Sequence, residues 1–273
     1  MTAIAHTLDR STDRGTTGLV ASTLTITRRA ALRYLRTPQL IVMATLQMPL
    51  FFLIYRYMFG GAIHAGSIPY VDYLVPGFVA TGVLFSGIGA AVATAEDLEQ
   101  GFVDRLRSLP IPRSSVLAAR AIADTAILTL ASAVTVAIAF AVGFRLHGSL
   151  TDGLAAFGLV IVFGFAFEWL FITMGLLAGS GQAAQGMGMI VFPLAFVSSA
   201  YVTVASMPGW LQVFAKHQPL TYMVDAVRAL TLGSRAQVEL GHPASYYVAR
   251  SLVWAAAILT ASVPLAVAKY QRN

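Results

Sequence analysis

The chain has 273 residues, of which 57% are hydrophobic and only 11% charged, and it contains no cysteine. Soluble domains carry about a quarter charged residues, so these side chains are too few to cover a water-exposed surface and the main solvent must be lipid. An ordinary soluble enzyme, a disordered tail and a disulfide-stapled secreted domain are excluded. The net charge of +6 does not point to nucleic acid, because the basic residues lie between apolar runs rather than in a stretch interleaved with exposed aromatics.

Residues 1–37 read as a cytoplasmic tail rich in Ser, Thr and Arg. Within it Leu24, Ala31, Leu32, Tyr34 and Leu35 share one helical face, while Arg29, Arg33 and Arg36 gather on the other. This predicts a basic amphipathic helix lying among the lipid headgroups, with Pro38 turning the chain into the bilayer. A merely solvated positive tail is the plainer alternative. No cleavable signal peptide is expected, since the first apolar run is long enough to span and to serve as the targeting signal.

A helix needs roughly 20 mostly apolar residues to cross the hydrocarbon, because its backbone must satisfy its own hydrogen bonds there. Residues 38–273 offer six such stretches: Pro38 to Met58, Leu74 to Ala95, Ala121 to Gly143, Leu154 to Gly179, Gln185 to Ala205 and Tyr247 to Ala268. The fourth and fifth are parted by a polar turn at Ser180, Gly181 and Gln182. The expected fold is therefore an all-α, polytopic six-helix membrane domain. Twelve of the eighteen basic residues precede the first span, lie between the second and third, or follow the sixth. Basic residues favour the cytoplasmic side, which predicts both termini inside.

The loop over 96–120 is the one strongly charged connection. Leu98, Phe102, Leu106 and Leu109 recur at helical spacing, Glu99, Asp104 and Arg107 lie elsewhere on the cylinder, and Pro110 and Pro112 stop it. A short cytoplasmic amphipathic helix of this kind packs its stripe into a groove on another protein, or against the membrane or its own bundle. On the outer side, residues 206–234 are cut by Pro208 and Pro219 into short helical pieces. Trp210, Phe214 and Tyr222 are expected as interfacial anchors, with Lys216 and Asp225 facing water. A pair of half-inserted, re-entrant helices follows from this pattern. It borders a substrate exit or only closes the outer end of the bundle.

Ionisable groups inside a span are candidates for function. Asp124 lies one turn beyond Arg120, and an i,i+4 ion pair would satisfy it. Glu168, in the middle of the fourth span, has no basic neighbour in sequence; it is protonated, hydrogen-bonded across the bundle, or faces a hydrophilic cavity. The five histidines show no metal-ligand spacing, neither lysine follows a glycine as a phosphate-binding loop requires, and no nucleophile elbow occurs in a strand-to-helix context. Catalysis and a resident cofactor are not expected. Gly175 with Gly179, and Gly82 with Ser86, form small-xxx-small pairs suited to close helix crossing.

The six-span order, the entry helix, EDLEQGFVDRLRSLPIPRSSVLAAR over 96–120 and FPLAFVSSAYVTVASMPGWLQVFAKHQPLTYMVDAVRAL over 192–230 together resemble the membrane subunit of an ABC exporter of the type 2 permease superfamily. The chain is most similar to the daunorubicin-resistance type of actinobacterial permease. The resemblance implies a plasma-membrane complex of two permeases, identical or homologous, with two copies of a cytoplasmic ABC ATPase subunit that carries ATP and Mg. In that complex Leu98, Phe102, Leu106 and Leu109 would take the push of the ATPase, and Glu99, Asp104, Arg105 and Arg107 would fix its docking. The cargo is a drug, a lipid or a polysaccharide, and the uncharged, aromatic-bearing spans favour a hydrophobic or amphipathic one. The competing readings are a proton-coupled secondary transporter using Glu168 and a membrane scaffold that moves no cargo.

Overall fold

Lipid offers the backbone no hydrogen-bond partners, and the chain answers by closing most of its length into helix. The computed structural model describes residues 18, 23, 27, 38–61, 68–101 and 113–272. The helices are α1 (Pro38–Phe59), α2 (Tyr70–Glu99), α3 (Arg113–Ala141), α4 (Leu150–Ala178), α5 (Gly181–Phe196), α6 (Gly209–His217), α7 (Pro219–Leu232), α8 (Ser234–Leu240) and α9 (Ala244–Arg272), with a 3-10 turn at Val204–Ser206. The expected interfacial helix of the tail lies outside the described residues, apart from three isolated positions.

Successive long helices alternate in direction. Met48 meets Gly82 while Phe52 meets Phe78, so α1 and α2 are antiparallel; Ile88 meets Gly188 while Phe85 meets Phe192, so α2 and α5 are too. One end of the bundle, the basal end, therefore gathers the C-termini of α2, α4 and α9 and the N-termini of α3 and α5. The opposite, capped end carries α6, α7 and α8.

The helices α2, α3, α4 and α9 are long and apolar enough to cross a membrane. The first and third of these are central: 67% of the most apolar stretch of α2 and 61% of that of α4 are buried within the protein, against 33% for α3 and 22% for α9. Leu46, Leu50 and Phe51 of α1 and Val253 of α9 remain exposed, an apolar perimeter that suits lipid. At the α2–α4 crossing Gly175 lies against the Ala91 carbonyl, where a Cβ would collide. Gly179, expected to share that crossing, instead ends α4 in a left-handed conformation, φ 76°.

The expected fifth span is corrected. Instead of running from Gln185 to Ala205, α5 begins at Gly181, is capped by Ser180 accepting from the Ala183 N–H at 3.2 Å, and ends at Phe196. Its 16 residues reach about 24 Å at 1.5 Å per residue, short of the roughly 30 Å hydrocarbon core. The helix stops because the Gln218 side-chain amide, at the start of α7, donates to its last carbonyls, those of Leu194 at 3.1 Å and of Val197. A side chain far along the chain thus does what sequence hydropathy could not reveal.

Candidate functional site

At the basal end α2 finishes in Glu96, Asp97, Leu98 and Glu99. The Arg120 guanidinium of α3 reaches across to the Asp97 carboxylate and also lies 3.5 Å from Asp124 one turn further on. The expected Arg120–Asp124 pair is present, and Asp97 is the partner that local spacing did not reveal. Glu99 accepts from the Gly181 N–H at 3.4 Å, placing an anion at the positive N-terminus of α5. Leu98 is half-buried against the cluster of Leu117, Trp169, Leu176 and Tyr270. Three helices are thereby fastened at the point where the charged loop leaves the bundle. The remaining residues assigned to that loop, Phe102, Asp104, Arg105, Leu106, Arg107 and Leu109, lie outside the described residues.

In the middle of the bundle Glu168 of α4 is 1% exposed. The Ser86 hydroxyl of α2 donates to its Oε1 at 2.7 Å, so the carboxyl group is hydrogen-bonded across the bundle. Its Oε2 has no partner among the described residues.

At the capped end sits a polar cluster that the sequence reading missed. Arg228 of α7 is 2% exposed. Its guanidinium donates to Asp225 Oδ1 at 3.0 Å, to the Ser199 carbonyl at 2.8 Å and to the Tyr73 carbonyl at 3.3 Å. The Ser199 hydroxyl donates to the same Asp225 oxygen at 2.6 Å, and the Tyr73 hydroxyl donates to the Ser199 carbonyl at 2.9 Å. Hydrogen bonds from both terminal nitrogens offset the burial of this arginine, while its Nε has no partner among the described residues. Burial pushes the Asp225 carboxyl above its usual range, against the pull of Arg228 and Ser199. The expectation that Asp225 faces water is overturned, and so is the anchor role of Tyr222, which is buried. The available signal was the three-residue spacing of Asp225 and Arg228 on one helical face.

Pro208 and Pro219 do punctuate this end: Pro208 precedes α6 and Pro219 opens α7. Trp210 and Phe214 of α6 are 76% and 50% exposed, on the surface as interfacial anchors would be. Alongside, Asp72 accepts from the Arg145 N–H at 3.0 Å and lies 3.7 Å from the His147 ring. The His147 and Gly148 N–H groups donate to the Thr231 carbonyl at 2.9 and 3.1 Å, tying the α3–α4 connection to α7. Among the described residues no group of His, Asp and Glu could hold a metal ion.

A helical bundle with an apolar perimeter suits a multi-pass membrane protein, and the comparisons with known proteins say of which kind. The chain is 30% identical over 223 residues to the daunorubicin resistance ABC transporter permease protein DrrB1 of Streptomyces coeruleorubidus, covering 81% of this chain and 79% of that protein. It is 26% identical over 250 residues to the "Probable doxorubicin resistance ABC transporter permease protein DrrC" of Mycobacterium tuberculosis (strain ATCC 25618 / H37Rv), covering 91% and 88%. Residues 21–232, well over half of the chain, match the ABC-2 type transporter family. This chain belongs to the ABC-2 type transporter family, as a membrane subunit of an ABC exporter.

Proposed function

We propose that the chain forms the export path for a hydrophobic or amphipathic compound, a drug or a lipid, in the plasma membrane. All six of α1 to α5 and α9 cross the bilayer, with both termini and the basal end in the cytoplasm. The basic residues beside that end support this orientation, and α5, the shortest, is accommodated by local thinning or by the partner subunit. A second permease, identical or homologous, completes the path, and two copies of a cytoplasmic ABC ATPase subunit bring the ATP and Mg. The drug-resistance names of the relatives support the cargo class.

The observation that carries the mechanism is the fastening of the basal end. Asp97, Arg120 and Asp124 join α2 to α3, and Glu99 joins α2 to α5. A push delivered to Phe102, Leu106 and Leu109 by the ATPase, guided by Asp104, Arg105 and Arg107, reaches three helices together through Leu98 and Glu99. The pieces around Pro208, Trp210, Phe214 and Pro219 dip into the outer leaflet and border the exit.

The test is Phe102→Asp in the assembled complex. It should stay in the membrane and hydrolyse ATP without moving cargo; normal transport by a variant that copurifies with its ATPase removes this loop from the mechanism. Because the chain has no cysteine, Arg105→Cys and Trp210→Cys report topology directly. An impermeant maleimide added to intact cells should label only the second.

A further inference from the structure

Near the capped end the packing of α2, α3, α4 and α7 leaves a cavity of about 220 Å³. Val79, Val160 and Val227 are among the residues of its wall. Of its lining side chains only Thr231 carries a polar group, and that hydroxyl is spent on the Val227 carbonyl at 2.8 Å. Water has little to hold it there, whereas a hydrocarbon chain does. The lining residues Phe140, Leu150 and Leu154 are also 42%, 74% and 64% exposed. The cavity therefore opens on the perimeter between α3 and α4, where the surrounding solvent is lipid.

A cation is fixed at its rim. Arg145 stands in the α3–α4 connection between Phe144 and Leu146, both of which line the cavity. One terminal guanidinium nitrogen donates to the Phe140 carbonyl at 2.9 Å and to the Phe144 carbonyl at 2.7 Å. That pins the group at the C-terminal end of α3, and its other nitrogens take no acceptor among the described residues. The two carboxylates close by are engaged: Asp72 with the Arg145 N–H and His147, and Asp152 with Ser149 in the cap of α4.

We propose that this is a binding site for an anionic glycerophospholipid, with one acyl chain in the cavity and the headgroup phosphate on Arg145. A guanidinium offers a phosphate several donors at once, and the apolar slot beside it offers methylenes a lining without free polar groups. The inference rests on immersion in lipid alone and not on the direction of transport or the cargo.

The test uses the full chain in phosphatidylcholine vesicles doped with phosphatidylglycerol that carries a photoreactive diazirine on its acyl chain, followed by peptide mapping. Adducts should concentrate in residues 136–160, and the phosphatidylglycerol probe should exceed the matching phosphatidylcholine probe by about fivefold, the preference one interfacial arginine confers. Arg145→Gln should abolish the headgroup preference, and Leu154→Trp, at the exposed mouth, should suppress labelling by both probes. A melting measurement on each variant separates loss of fold from loss of site. Adducts spread evenly around the bundle, equal labelling by the two headgroups, or a preference that survives Arg145→Gln would each overturn the proposal. A transport assay on the assembled complex is a separate readout, so failure of the export reading leaves these outcomes intact.

Discussion

The guanidinium carbon of Arg228 lies 3.8 Å from the centre of the Tyr73 ring, stacked on it while the same group donates to the Tyr73 carbonyl. This contact joins α7 to the first turn of α2, and Ser199 brings in the segment after α5. Removing one partner from a buried charged pair leaves the other uncompensated.

Arg228→Lys keeps the charge but loses the planar fork and the stacking. Loss of the hydrogen bonds and of the stacking should destabilise the protein by about 2 kcal/mol, measured as a drop in melting temperature in detergent. Melting within error of the parent would mean that the cluster contributes no stability.

Glu168→Gln retains an oxygen to accept from Ser86, so its stability should fall by no more than about 1 kcal/mol and transport should persist. Ser86→Ala, which strips a buried acceptor of its donor, should cost about as much or more. If Glu168→Gln folds normally but abolishes transport in the ATPase complex, the carboxyl group itself handles protons and the export mechanism needs revision.

Arg120→Gln leaves Asp97 and Asp124 without their shared cation. We expect a loss of about 1 kcal/mol, since Asp97 and Arg120 are partly exposed, largely recovered in the Arg120→Gln/Asp124→Asn double variant. Thermal unfolding of the four members of that cycle checks it; strictly additive losses would deny the coupling.

Gly175→Val places side-chain carbons into the Ala91 carbonyl and forces α2 and α4 apart. Overpacking of this kind costs about 1–3 kcal/mol. The same substitution at Gly158, whose Cβ position is open, should be far milder, and the comparison of melting temperatures decides whether the crossing is as close as described.

Gln218→Ala removes the amide that ends α5. Hydrogen exchange at residues 194–199 should accelerate about fivefold or more, as expected for loss of a bond worth about 1 kcal/mol, while α4 stays protected. Unchanged exchange would mean that the turn after Phe196 holds without it.

Much of this was legible in the residues. Within lipid each helix must satisfy its own backbone, so the length and apolarity of α2, α3, α4 and α9 are local properties that hydropathy records directly. Pro208 and Pro219 cut the chain where a missing N–H must fall. Arg120 and Asp124 pair because four residues make one turn. The sequence by itself thus determined the solvent, the long apolar helices and the Arg120–Asp124 contact within one helix.

Tertiary structure decided the rest. Ser86 and Glu168 are 82 positions apart, and Asp97 meets Arg120 only because α2 and α3 end side by side. Asp225 turns inward because Tyr73 and Ser199, from two other elements, complete a cage for Arg228. The α5 helix stops short because Gln218 folds back onto it. Polar side chains among lipid-immersed helices take whatever partner the crossing geometry delivers, and that geometry is set by close approach at residues such as Gly175, not by any property of the partners' own neighbours in the chain.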